Sequence, residues 1–197
     1  AGAVADRHAA QMGADADHHQ PFAGLVQRAV FVGGGRVGLV GVLGALVDQL
    51  VQHDCAAILL FDPVNIRYAL DVSNMQLWAT HNPFHYALLF ADGHAIDFQY
   101  AGAEHLAKGL ETVNEVRTAR PFFYMYSGPF LDERADQFAC EIVDALRERS
   151  GGNLRLATDK LELPGADALR RKGVTLIEGQ ELTEQARLIK SPDEIEL

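Results

Sequence analysis

The chain has 197 residues, 48% of them hydrophobic and 22% charged, with a formal net charge of −10. That length supports one well-cored domain or two small ones, and the composition is that of a folded chain. The acidity argues against a general binder of nucleic-acid backbone, which needs a basic face; its plain reading is solubility.

Residues 1–24 are rich in Ala, His and Asp without a clear period, and are expected to form a mobile tail in which His18 and His19 are a solvated pair. Asp6, Arg7, Asp15 and Asp17 leave no apolar core there, so no secretory signal is expected. Next, Gly33, Gly35 and Gly38 in VFVGGGRVG fit G-x-G-x-x-G after the apolar run Ala29 to Val32. A dinucleotide-binding unit needs a strand, this turn, a helix, and a second strand ending in an acid about 20 residues on. Asp62 comes 29 residues after Gly33, and Asp54 stands before the second strand. A dinucleotide-binding oxidoreductase domain using Gly33–Gly38 is therefore a rival reading.

Residues 37–53 predict a helix, since Leu39, Leu43, Leu46, Val47 and Leu50 recur at three- and four-residue steps. Gly41 and Gly44 weaken its first half by about 1 kcal/mol each. The apolar stretch 37–47 is too short to span a membrane. Ala56 to Phe61 reads as a buried strand ending at an Asp62-Pro63 turn. Residues 64–83 are too long for a tight turn and too aromatic for a linker. Tyr86–Phe90 and Ala95–Tyr100 flank Asp92-Gly93 and predict a β-hairpin. A short helix over 103–111 and a strand over Val113–Ala119 follow. Asp132–Arg149 is a stronger helix, with Phe138, Ile142, Val143 and Leu146 on one face and Ser150-Gly151-Gly152 ending it. Leu154–Ala157 predicts a strand and Pro164–Lys172 a helix. Val174–Ile177 predicts another strand, and a polar helix runs from Glu181. The alternation predicts an α/β fold with a mixed β-sheet flanked by helices.

Cys55 and Cys140 lack the close Cys or His neighbours of a metal site. Both stand in apolar contexts and are expected as buried free thiols, which suits a reducing, cytoplasmic setting. No G-x-S-x-G, P-loop or Cys–His pair marks a catalytic centre.

Three stretches carry a resemblance: AAILLFDPVNIRYALDVSN at 56–74, YALLFADGHAIDF at 86–98 and LTEQARLIKSPDEIEL at 182–197. From about residue 45 to 197 the chain resembles the N-terminal domain of the creatinase–prolidase–aminopeptidase P family. NMQLWATHNPF at 74–84 is similar to a narrower branch that includes dimethylsulfoniopropionate lyases and Xaa-Pro peptidases. Residues 1–44, outside the resemblance, are expected to be an irregular N-terminal segment; the resemblance implies a creatinase N-terminal-like α/β domain over 45–180 and the start of a linker helix over 181–197. In that family a C-terminal pita-bread domain holds divalent metal ions, usually through two Asp, one His and two Glu. None of those ligand motifs matches a position here. The resemblance thus implies a fragment without the catalytic domain, no cofactor or metal in this chain, and no catalysis by this chain alone. The roles it implies are homodimer formation and shaping of the partner's substrate pocket. A small-molecule or peptide substrate enters only with the catalytic domain; nucleic acid and membrane are not expected partners. Residues 1–44 do not resemble the charged helix usual in the family, and an altered reading frame upstream is one source of such Gly- and Val-rich sequence.

Two groups are candidate pocket or interface residues. Asn65, Arg67 and Tyr68 follow the first strand. Structurally, Asn65 would cap a turn, Arg67 would pair with a sheet-edge carboxylate and Tyr68 would pack. In the family such loops commonly wall the neighbouring subunit's pocket, where the Arg fork suits a substrate carboxylate. Met75, Trp78, His81 and Asn82, with Phe84, are the second group, suited to a small cation or a proline ring, or to a subunit interface. His81 and His85 stand four apart, but Pro83 between them opposes a shared helix and hence a metal pair. The run FFYMYSGPF at 122–130 is a further interface or core candidate.

Overall fold

The computed structural model describes residues 37–74, 81–190 and Ile195, with side chains from Leu43 onward. The first helix, α1 (Val37–Gln52), covers the stretch its periodicity predicts. It runs through Gly41 and Gly44 and across the 44/45 boundary, so residues 37–44 are helical rather than irregular. The reason is burial: Leu46, Val47 and Leu50 are almost fully enclosed. Each such side chain contributes about 1.5–3 kcal/mol, which outweighs the cost of two glycines.

Strand β1 (Ala57–Leu60) is buried along its whole length. The next element was not foreseen. Asp62-Pro63 does not make a turn; it opens helix α2 (Pro63–Leu70). The Asp62 carboxylate accepts hydrogen bonds from the Val64 and Asn65 amides, and Pro63 occupies the first helical position. The helix stops at Asp71, whose left-handed backbone (φ 59°) turns its amide back to the Arg67 carbonyl.

Strands β2 (Tyr86–Phe90) and β3 (Ala95–Gln99) form the expected hairpin, with Gly93 at φ 85° in the turn. Between β3 and β4 (Glu115–Thr118) the expected helix over 103–111 is only a 3-10 turn, Glu104–Leu106. Gly102 and Gly109, both at positive φ, confine it. A short helix, α3 (Tyr124–Ser127), precedes α4 (Leu131–Arg149). Then come β5 (Arg155–Thr158), α5 (Leu163–Arg171), β6 (Thr175–Glu178) and α6 (Gln180–Leu188).

The six strands form one mixed sheet in the order β4-β3-β2-β1-β5-β6. β1–β2 and β2–β3 are antiparallel; β3–β4, β1–β5 and β5–β6 are parallel. Side chains alternate between the two faces. Leu59, Tyr86, Leu88, Phe98 and Leu156 meet Phe138 and Ile142 of α4 and Leu169 of α5. Ile58, Leu60, Ala87, Leu89 and Ala157 meet α1, α2 and Leu182 and Ala186 of α6. The result is a three-layer α/β/α domain. α6, expected to begin a linker, is packed into the domain's own core.

This sheet removes the dinucleotide reading. A strand feeding Gly33–Gly38 would have to lie beside the strand that follows α1. That strand is β1, and its two edges are already taken by β2 and β5. The acid the reading needs, Asp62, is engaged as a helix cap. Gly33, Gly35 and residues 1–24 themselves lie outside the described residues.

Candidate functional site

Helix α2 carries the first candidate group, and its residues diverge. Asn65 does not cap a turn: its amide donates to Asp159 Oδ2 at 2.8 Å. Asp159, at the end of β5, also accepts from the Phe61 amide at 2.8 Å and the Asp62 amide at 3.2 Å. Burial pushes its carboxyl above the usual range; the three donors oppose the shift, and the nearby Asp62 reinforces it. The ends of β1 and β5, where the chain leaves for opposite faces of the sheet, are thus tied together by this carboxylate.

Arg67 and Tyr68 face outward. Among the described residues Arg67 pairs with no sheet-edge carboxylate; its guanidinium donates to the Ser73 hydroxyl at 3.0 Å and stays exposed. Tyr68 is half-buried beneath two cations of the last helix region. The Arg187 guanidinium stands 5.5 Å and Lys190 Nζ 6.0 Å from its ring centroid. On an otherwise acidic chain, the end of α6 and the residues just after it bring Arg187 and Lys190 over one aromatic ring of α2. Arg187 and Lys190 were not singled out from sequence, because nothing local links them to Tyr68.

In the second group Met75 and Trp78 lie outside the described residues. His81 is exposed, whereas Asn82 and Phe84 are buried. His85 is also buried and joins a polar cluster that sequence reasoning missed. Its Nε2 lies 2.9 Å from Asp97 Oδ1. Gln99 donates to Asp97 Oδ2 at 2.7 Å, and Asn74 donates to Gln99 Oε1 at 2.6 Å. Gln99 Nε2 also lies 3.1 Å from His85 Nε2, so the three side chains form one contiguous cluster. His85 Nδ1 and Asn82 Nδ2 find no partner among the described residues. The signal available in sequence was Asp97 and Gln99 alternating in AIDFQ, a pattern that ordinarily faces water. Here that face is covered.

Neither histidine serves a metal pair: one is exposed, the other committed to a carboxylate. Among the described residues no group of three or more His, Cys, Asp and Glu is placed to hold a metal ion. Both cysteines are free, but only Cys55 is buried. Cys140 is exposed because it lies on α4 one turn after Asp136, away from the face that buries Phe138 and Ile142. No described helix is long and apolar enough to cross a membrane.

No family model matches the chain. Over 150 residues, 76% of its length, it is 44% identical to the dimethylsulfoniopropionate lyase DddP of Roseovarius nubinhibens and 45% identical to that of Roseobacter denitrificans. The match covers 34% of each, so the chain spans about a third of the length of the curated relatives it matches. Among solved structures it is similar to the N-terminal domain of the cytoplasmic peptidase PepQ from Mycobacterium tuberculosis (TM-score 0.50, 20% identity, 74% of this chain and 98% of that one). It is also similar to a proline dipeptidase from Streptococcus pneumoniae (TM-score 0.53, 18% identity, 75% and 98%), and to the Xaa-Pro dipeptidase of Bacillus anthracis (TM-score 0.52, 20% identity, 80% and 38%). The mixed six-stranded sheet between two helical layers is the fold of creatinase-like N-terminal domains. Over the matched residues the chain is homologous to these two lyases, and its fold is that of the N-terminal domains of creatinase/prolidase-type proteins.

Proposed function

We propose that this domain is the non-catalytic part of a metal-dependent enzyme of the dimethylsulfoniopropionate lyase branch, where it supports a homodimer and shapes the substrate pocket. The observation that carries the branch is the 44–45% identity to two such lyases; the peptidase likenesses lie at 18–20% and speak to fold alone. The outward-facing Arg67, which follows the first strand on the exposed side of α2, supports the pocket role. A forked guanidinium matches a carboxylate, which dimethylsulfoniopropionate carries, and its exposure leaves it accessible. A cytoplasmic setting suits the two free thiols.

The test is a chimera in which this domain replaces the matching 150 residues of the Roseovarius lyase. Cleavage of dimethylsulfoniopropionate by the chimera, with no turnover of Xaa-Pro peptides, is the expected outcome. Arg67→Ala in that chimera raises KM roughly tenfold, the loss of about 1.4 kcal/mol, with kcat little changed. A folded chimera that hydrolyses Xaa-Pro peptides instead would move the domain to the peptidase branch.

A further inference from the structure

Four polar side chains are enclosed where β3 meets the chain that leads into β2. Asn74, His85, Asp97 and Gln99 are 4, 1, 0 and 0% exposed. Asp97 and Gln99 stand two apart on β3 and so share one face of the sheet, that of Ala95 rather than that of Ile96 and Phe98. The pairing of Tyr86 with Phe98 sets His85, one residue before β2, opposite Gln99. From there the contacts run without a gap. Asn74 donates to Gln99 Oε1 at 2.6 Å, and Gln99 donates to Asp97 Oδ2 at 2.7 Å. His85 Nε2 lies 2.9 Å from Asp97 Oδ1 and 3.1 Å from Gln99 Nε2. Asn74 and His85 are the two ends of one connection, and both are held at one place on β3.

A buried polar network is seldom more stable than apolar side chains of the same volume. What it adds is position, because a hydrogen bond has a preferred length and direction and an apolar contact does not. The connection from Asn74 to His85 carries Met75, Trp78, His81 and Asn82, the second candidate pocket group. We propose that Asp97 and Gln99 are positioning residues for that group. By holding Asn74 and His85 together they fix where the connection leaves the sheet and returns to it, and so set the wall that this domain contributes to the substrate pocket. The inference rests on the pocket role proposed above. A displacement of about 1 Å, caused far from the reacting atoms, costs on the order of 100-fold in rate, so such a wall has to be held by fixed groups.

Trp78 is the only tryptophan of the chain, so the intrinsic emission of the 197-residue protein reads this connection alone. Asn74→Ala releases one end; Gln99→Leu removes both the acceptor of Asn74 and a donor to Asp97. Each is expected to raise the constant for collisional quenching of Trp78 by acrylamide roughly threefold or more. Asn74→Ala, the milder change, keeps the test open should Gln99→Leu fail to fold. Ile142→Val, in the core on the opposite face of the sheet, lowers stability and is expected to leave the quenching as in the wild type. In the chimera with the Roseovarius lyase, Asn74→Ala is expected to lower kcat/KM about tenfold or more, and Ile142→Val to leave it unchanged. Quenching that does not respond to the cluster variants, or that rises as much in Ile142→Val, overturns the positioning role. Quenching that responds while kcat/KM does not overturns its bearing on the pocket. A chimera inactive with the wild-type domain counts against the lyase reading instead, and the fluorescence still decides the positioning.

Discussion

The side-chain amide of Asn65 donates to the carboxylate of Asp159 at 2.8 Å, tying the first turn of α2 to the end of β5 across 94 positions of chain. Two backbone amides, of Phe61 and Asp62, converge on the same carboxylate. The carboxylate thereby holds the start of α2 against the ends of β1 and β5.

Asp159→Ala strands these donors and is expected to destabilise the domain by about 2–3 kcal/mol, whereas Asn65→Ala costs about 1 kcal/mol. Because burial raises the folded-state value of the Asp159 carboxyl, its linkage runs opposite to that of a salt-bridged acid. The folded state holds this proton more tightly, so the contribution is full below the unfolded value of about 3.8 and is lost as pH rises through the raised folded value. Urea melts from pH 3.5 to 6.5 should show the wild type losing stability relative to Asp159→Asn as pH rises. A difference that grows instead would reverse the assignment.

The His85–Asp97 pair is sealed from water, with side chains 1% and 0% exposed. Asp97→Ala is expected to cost about 3–5 kcal/mol, because it leaves His85 and Gln99 buried without their acceptor. Removing both partners by His85→Leu/Asp97→Leu is expected to cost less than the two single changes summed. A double-mutant cycle on denaturant midpoints measures this, and strict additivity would show that the two groups act independently.

Two glycines should respond in opposite directions. A Cβ on Gly179 would stand 2.6–2.7 Å from the Thr158 backbone, where nothing yields. Gly179→Ala is expected to destabilise by about 2 kcal/mol or more. Gly44, inside α1, has no atom within 4 Å of such a Cβ, and Gly44→Ala is expected to stabilise by up to about 1 kcal/mol. Thermal melts of both variants check the pair.

Asp62→Ala removes the acceptor for the Val64 and Asn65 amides and is expected to cost about 1 kcal/mol. Asp62→Ser, which caps as well, should recover most of it. Equal losses in the two variants, read from urea midpoints, would assign the effect to charge rather than to capping.

The local signals carry much of the fold. AAILLF has to be a central strand, Asp92-Gly93 has to turn, and the Phe138–Leu146 stripe has to bury a helix face, because these properties belong to neighbouring residues. α2 was legible too, in the Asp-Pro pair that caps and opens a helix, but the polar and aromatic residues after it obscured the period. The 3-10 turn at Glu104–Leu106 was overread because the two flanking glycines were not weighed.

What the sequence determined by itself was the α/β class, most elements and the family resemblance, since periodicity, turn chemistry and the DPVNIRY and hairpin stretches are written in consecutive residues. Only the tertiary structure decided which polar groups are buried and which are presented. AIDFQ has the alternation of a half-solvated strand, yet Asp97 and Gln99 are enclosed because Asn74 and His85 arrive from other elements to satisfy them. Tyr68 gained Arg187 and Lys190 in the same way. Such pairings follow from which edges and faces pack together, and that depends on the whole sheet rather than on any stretch of its sequence.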